Sequence, residues 1–149
     1  MFNIALYQPD IPQNTAAIIR LCACFGITLE IIEPCGFQMH DKRLKKVAMD
    51  YFDKSKIIIH RSYEYFLKNK KNSRIILMTT KAKKNYTDFK FNQKDTLLFG
   101  RESAGVPKIV HKNSHERLKI PITKNIRSLN ISIAVAITLS EAIRQTKFL

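Results

Sequence analysis

Two short segments in the last third of the chain hold residues whose types and spacing suit chemistry on a polar ligand. The first reads Leu98-Phe99-Gly100-Arg101-Glu102-Ser103-Ala104-Gly105-Val106-Pro107. It carries two of the four glycines in the chain, directly after an apolar run that reads as a strand. Glycine at a strand exit lets the backbone take positive φ or approach a ligand closely. Ligands of open α/β sheets bind outside the carboxyl ends of strands. An ordinary loop with an acid near a helix start and Pro107 in the first turn has the same spelling. The second segment reads Pro121-Ile122-Thr123-Lys124-Asn125-Ile126-Arg127-Ser128-Leu129-Asn130-Ile131-Ser132. Ser128 can cap the helix expected after it, and a polar helix start suits a polar ligand group. Simple capping explains it equally well. A third candidate lies near the beginning, where Asn14 and Arg20 sit in an apolar stretch with no other charge from 15 to 27. A lone arginine there implies a partner, either a functional surface or a subunit-interface ion pair.

Several common chemistries lack their residues. There is no G-x-G-x-x-G, no P-loop and no H-E-x-x-H, and no nucleophile elbow with a Ser-His-Asp pattern. Three cysteines, Cys22, Cys24 and Cys35, together with an opening that has no basic and apolar leader, point to a reducing cytoplasm. A zinc site joining them to His40 is disfavoured, because residues i and i+2 of a helix face different ways. No apolar run reaches the roughly 20 residues of a membrane span.

The elements that must position these residues follow from periodicity. Strands are expected at 2–7, 28–32, 57–60, 75–79, 96–99 and 118–122. Helices are expected at 14–25, 41–51, 63–70 and 129–147, with Gly26 ending the first. A polar stretch covers 81–95. Short strands alternating with helices give an α/β fold with a mostly parallel sheet. Runs such as IALY, IIIH and IILM are apolar on both sides, so helices should cover both faces. No repeat or linker divides residues 1–149, which read as one domain.

The net charge is +14. Residues 41–84 hold fourteen basic and four acidic side chains. Such a surface favours polyanions, nucleic acid first, although a basic run can also be a plain solvated face.

Taken together, the three segments resemble the motifs of the SPOUT superfamily of trefoil-knotted RNA methyltransferases. These are Ile11-Pro12-Gln13-Asn14 with Arg20, then Phe99-Gly100-x-Glu102-x2-Gly105-Val106-Pro107, then Ser128-Leu129-Asn130-Ile131-Ser132. Within it, NIALYQPDIPQNTAAIIRLCACFG and IIEPCGFQMHDKRLKKVAMDY look like the small, single-domain tRNA (cytidine/uridine-34)-2′-O-methyltransferases. The resemblance runs nearly end to end. It departs from the family pattern at Arg101, Ile133 and Ser140.

The resemblance implies a deep C-terminal knot, a homodimer with composite sites, and S-adenosylmethionine as cofactor with no metal. Met78, Gly100, Gly105, Ile120, Ser128 and Leu129 would contact the cofactor. Arg20 would serve the reacting hydroxyl, helped by a phosphate. Asn14 would hold the arrangement, Glu102 would orient Arg20, within the chain or across the dimer, and Asn130 and Ser132 would close the site. The implied partner is the anticodon stem-loop of tRNA, gripped by Lys42, Arg43, Lys45 and Lys46. Two other functions compete: 2′-O-methylation of ribosomal RNA, and RNA binding without catalysis.

Overall fold

The computed structural model describes residues 2–39, 41–48 and 51–147, the side chains of 45, 47, 52 and 53 excepted. His40 and the end of the expected 41–51 helix therefore lie partly outside the described residues. One seven-stranded sheet organises the chain. Its strands are β1 (Asn3–Tyr7), β2 (Thr28–Ile32), β3 (Ile57–His60), β4 (Ile75–Met78), β5 (Lys84–Asn85), β6 (Thr96–Phe99) and β7 (Glu116–Lys119). The order across the sheet is β3-β2-β1-β6-β4-β7-β5, and every pairing is parallel. The helices are α1 (Pro12–Phe25), α2 (Lys42–Ala48), α3 (Tyr51–Lys54), α4 (Tyr63–Lys68), α5 (Lys108–Asn113) and α6 (Ile131–Thr146).

Both faces are apolar, as the strand composition requires. On one face Ile4, Leu6, Leu29, Ile31, Ile76, Met78, Leu97, Phe99 and Leu118 pack with α1, α2 and α6 through Ile18, Ile19, Cys22, Leu44, Val135 and Leu139. On the other, Ala5, Tyr7, Ile32, Ile75, Leu77 and Leu98 pack with α4 and α5 through Tyr63, Phe66 and Val110. Burying a Leu or Ile contributes about 1.5–3 kcal/mol, so this two-sided burial holds the three layers together.

The inner strand β2 also carries a charge. Glu30 is 1% exposed and accepts from Asn3 Nδ2 at 2.7 Å, faces His60 Nε2 at 2.8 Å and pairs with Lys70. Its two oxygens are thereby satisfied, which a buried carboxylate demands. This cluster ties β1, β2 and β3 to the loop after α4.

Besides shifts of a few residues at the ends of α1 and α4 and a separate α3 from Tyr51, four departures from expectation bear on the site. β7 begins at Glu116 rather than Leu118 and ends at Lys119. It lies beside the two-residue β5, so charged residues can occupy a ladder whose flank is open to water. Pro121, without an N–H, cannot extend it. β5 itself lies inside the polar 81–95 stretch, where no apolar pattern marks it. α5 follows Pro107 as a further helix. The last helix begins at Ile131 with Asn130, not Ser128, as its cap: the Asn130 carboxamide oxygen accepts from Ser132 N at 2.9 Å.

Candidate active site

Three of the four catalytic candidates meet at one hydrogen-bonded junction. Glu102 accepts from Asn14 Nδ2 at 3.1 Å and from the backbone N–H of Asp10 at 2.8 Å. Asn130 Nδ2 donates to Asn14 Oδ1 at 3.0 Å. The Asn130 oxygen also accepts from Ser132 Oγ at 2.7 Å. Residues 88 and 116 positions apart in the chain are thus clamped together by side-chain amides and one carboxylate. The strand order makes this possible. β1 and β6 are parallel neighbours, with Leu6 opposite Phe99, so the segments leaving their carboxyl ends emerge side by side.

The loop after β6 is held in a fixed shape. Arg101 N donates to Gly105 O at 3.1 Å and Gly105 N to Arg101 O at 2.9 Å. Gly105 takes φ +65, a region open to glycine without strain. Arg101 pairs with Asp10, and Asp10 also accepts from Ser103 N at 3.0 Å and Ser103 Oγ at 2.6 Å. Arg101, a departure from the family pattern, therefore has a structural partner in this chain. Asp10 is the site residue that sequence reading missed. Its signal was slight: a lone acid between β1 and Pro12, at the same sheet end as the glycine loop.

The Arg101 guanidinium, with the Ser103 donors, holds the Asp10 carboxyl down at about 2, from an ordinary value of 3.8. A depressed carboxylate stabilises the fold above its unfolded pKa, and the contribution is lost as pH falls through the folded value. The window here runs from 3.8 down to about 2. Glu141, held at about 2 by Arg144, titrates in the same range. Asp10→Asn should lower the thermal midpoint at neutral pH and shrink the wild-type loss of stability across that window. Equal acid limbs in the two proteins would contradict this.

Three of the expected cofactor residues share the same end of the sheet. Met78 closes β4 and lies opposite Phe99 on β6 and Leu118 on β7. Gly100 and Ile120 follow those two strands. With strands about 4.8 Å apart, the three positions make a row about 10 Å wide. Gly105 and Ser128 are exposed, and Leu129 is half-buried. Among the described residues, none of the backbone hydrogen bonds formed outside helices and strands involves 121–129.

Arg20 stands apart from the junction. It is six residues beyond Asn14 on α1, about 9 Å along the axis and turned well away from it. Its guanidinium lies over the Tyr51 ring, 5.0 Å from the centroid, and it is exposed. Among the described residues it forms no ion pair. Within one chain Glu102 therefore binds Asn14 and Asp10 N–H instead of orienting Arg20. The cysteines are dispersed: Cys22 is buried with its thiol pushed up to about 12 by desolvation, while Cys24 is exposed and Cys35 half-buried.

No helix among the described residues is long and apolar enough to cross a membrane. The model of the SpoU rRNA Methylase family matches residues 1–140. A tRNA (cytidine(34)-2′-O)-methyltransferase of Beijerinckia indica is 46% identical over 144 residues, covering 95% of this chain and 90% of that protein. A solved structure concerned with 2-OH methylation of C/U34 on tRNA superposes with a TM-score of 0.93 at 35% identity, covering 97% of this chain and 95% of the other. At 22% identity, an AdoMet-bound rRNA methyltransferase from Sinorhizobium meliloti shares the fold with a TM-score of 0.88, covering 96% of this chain and 56% of its own. Matched over nearly its whole length in sequence and in fold, the chain belongs to the SpoU methylase family.

Proposed function

We infer that this chain transfers a methyl group from S-adenosylmethionine to the ribose 2′-hydroxyl of the wobble nucleotide, position 34, of tRNA. The observation that carries the reading is the junction of Asn14, Glu102 and Asn130 at the carboxyl ends of the strands, in a chain 46% identical to a tRNA (cytidine(34)-2′-O)-methyltransferase.

The residues present fit the methyl donor. Met78, Gly100 and Ile120 form a row at three adjacent strand ends, and the 121–129 segment has backbone groups not engaged by other loops. Gly100 lets the Gly105 backbone pack against it, and Gly105 has open space where a side chain would stand. Met78, Gly100, Gly105, Ile120, Ser128 and Leu129 would hold the adenosine and amino-acid parts. When bound, S-adenosylmethionine supplies an electrophilic methyl group on a sulfonium.

The 2′-hydroxyl is a poor nucleophile at neutral pH, so charge developing on its oxygen must be stabilised. Arg20 positions that hydroxyl and stabilises the developing oxyanion. A guanidinium stays protonated in proteins, so the proton leaves to another acceptor, such as a substrate phosphate. Asn14, Glu102 and Asn130 hold α1, the glycine loop and α6 in register. Since Arg20 is remote from its own junction, the site is completed in a homodimer in which α1 of one copy reaches the cofactor of the other. Exposed Ile11 and Ile133, at the starts of α1 and α6, support such a contact.

The wedging of β7 between β4 and β5 supports a C-terminal knot, because the short 79–83 link must pass over the chain that forms β7. The whole chain works as one domain in the cytoplasm, where tRNA is found. Lys42 and Lys46 are exposed, and Arg43 is engaged by Asp41 at 2.7 Å; the Lys45 side chain lies outside the described residues. Lys42→Glu with Lys46→Glu should weaken tRNA binding, read by fluorescence anisotropy, and leave the calorimetric affinity for S-adenosylhomocysteine unchanged.

The decisive test supplies labelled S-adenosylmethionine with total tRNA and, in parallel, with ribosomal RNA, measures tRNA binding beside it, and digests the products with alkali. A 2′-O-methyl blocks cleavage of its phosphodiester, so label should survive in a dinucleotide that begins at position 34. Label placed in ribosomal RNA instead would favour the ribosomal alternative. Undiminished tRNA binding without any methylation would favour a non-catalytic binder.

A further inference from the structure

A second concave surface lies away from α1 and α6. It is a groove of about 580 Å³ lined by Lys81, Val106, Lys108, His111, Lys112 and Arg117, among others. Four of these are permanent cations, and no carboxylate is among the described residues that line it. Arg117 projects from β7 opposite Leu77, which belongs to the α4/α5 face of the sheet. α5 supplies Lys108, His111 and Lys112 from the same side. Glu116, beside Arg117 in the chain, is turned to Lys84 at 3.9 Å and does not neutralise the groove.

A solvated basic face spreads its charges on a convex surface. Here four exposed cations line one shallow, open concavity with no carboxylate among its described lining residues, so like charges raise each other's energy and an anion would relieve it. Burial, and then Lys81 and Arg117, push the His111 pKa below its ordinary value, so the groove already acts on a neighbouring group as a cationic field. Two of its lining residues are close in sequence to the strand-end residues. Val106 directly follows Gly105, and Lys81 comes three residues after Met78.

We propose that this groove is a docking track for the phosphodiester backbone of the RNA substrate, leading from the strand ends down the α5 side of the sheet. The proposal rests on the reading that the substrate is tRNA. Backbone contacts carry no sequence information and set register and orientation, so the groove would seat the RNA while the strand ends perform the transfer. It lies on the opposite side of the sheet from α2, so it is separate from any grip supplied by Lys42 and Lys46.

The test combines Lys81→Gln, Lys108→Gln, Lys112→Gln and Arg117→Gln in one full-length protein. All four side chains are exposed, so the thermal midpoint and S-adenosylhomocysteine affinity should match wild type. Affinity for tRNA is measured at several salt concentrations beside methyl transfer. The expected result is about a tenfold or greater loss of tRNA affinity and a slope of log K against log salt shallower by about 3, from four lost phosphate contacts. An unchanged slope and affinity, with wild-type protein methylating tRNA normally, overturn the groove and leave the methyltransferase reading intact. A shallower slope in the variant, with a wild-type protein that binds but does not methylate tRNA, supports the groove and overturns the reaction. Failure of wild-type protein to bind RNA overturns the proposal outright.

Discussion

Arg20→Ala should lower kcat for tRNA methylation by about 10²–10³-fold, the cost of removing one donor aimed at a developing oxyanion. The same change should leave S-adenosylhomocysteine binding and stability nearly untouched. Arg20 is exposed, and its described partner is the Tyr51 ring; an exposed cation–π contact contributes about 0.5–1 kcal/mol. Arg20→Lys sharpens the interpretation. It keeps a cation but loses the planar fork, so it should recover part of the rate if charge is what matters and little if hydroxyl orientation is. Single-turnover kinetics separates this from weakened tRNA binding. Loss of cofactor affinity, or a wild-type rate in the alanine variant, would remove Arg20 from its assigned role. Mixing Arg20→Ala chains with Glu102→Ala chains adds a test of the composite site. If each copy lends α1 to the other, mixed dimers should regain part of the activity that neither variant has alone.

Much of the fold was legible because its strands announce themselves. IALY, IILM and TLLF are short, and a parallel sheet sandwiched by helices buries them throughout; IIIH, at the sheet edge, leaves Ile58 and Ile59 exposed against that expectation. What escaped reading lies where tertiary context replaces local pattern. β5 is Lys84–Asn85, a pair with no apolar signal, and it is a strand only because β7 offers it a ladder. Ser128 and Asn130 are both good caps. The choice of Asn130 follows from its bond to Asn14, far away in sequence. The site was legible as motifs but not as geometry. Asn14, Glu102 and Asn130 were each singled out, yet their direct contacts depend on β6 inserting beside β1, which no local periodicity encodes. Asp10 was invisible for the same reason: its importance comes from Arg101 and Ser103, some ninety residues later. Arg20 shows the opposite case. Its isolation in an apolar helix raised the expectation of a partner, and the structure keeps it unpaired with any carboxylate among the described residues.

Gly100→Ala should be the most damaging single-atom addition at the cofactor end. A Cβ at Gly100 would stand 2.8 Å from the Gly105 carbonyl carbon and 2.9 Å from its Cα. Both are backbone atoms, held by the paired hydrogen bonds between Arg101 and Gly105, so no side-chain rotation relieves the clash. The loop must move, at a cost of about 1–3 kcal/mol for overpacking. Moving it also shifts Glu102, which grips Asn14 and the Asp10 amide. The expected outcome is a lower thermal midpoint and an S-adenosylhomocysteine affinity reduced by about tenfold or more, equivalent to about 1.4 kcal/mol. Gly105→Ala is the control for a purely conformational effect. Its Cβ would meet nothing within 4 Å, but φ is +65, so it should cost about 1–2 kcal/mol of backbone strain and less cofactor affinity. If the loop cradles the methyl donor, affinity must fall further in Gly100→Ala than in Gly105→Ala even where their stabilities are similar. Equal affinities in the two variants and wild type would mean that the glycine pair shapes only the loop, and that the cofactor lies elsewhere along the strand ends.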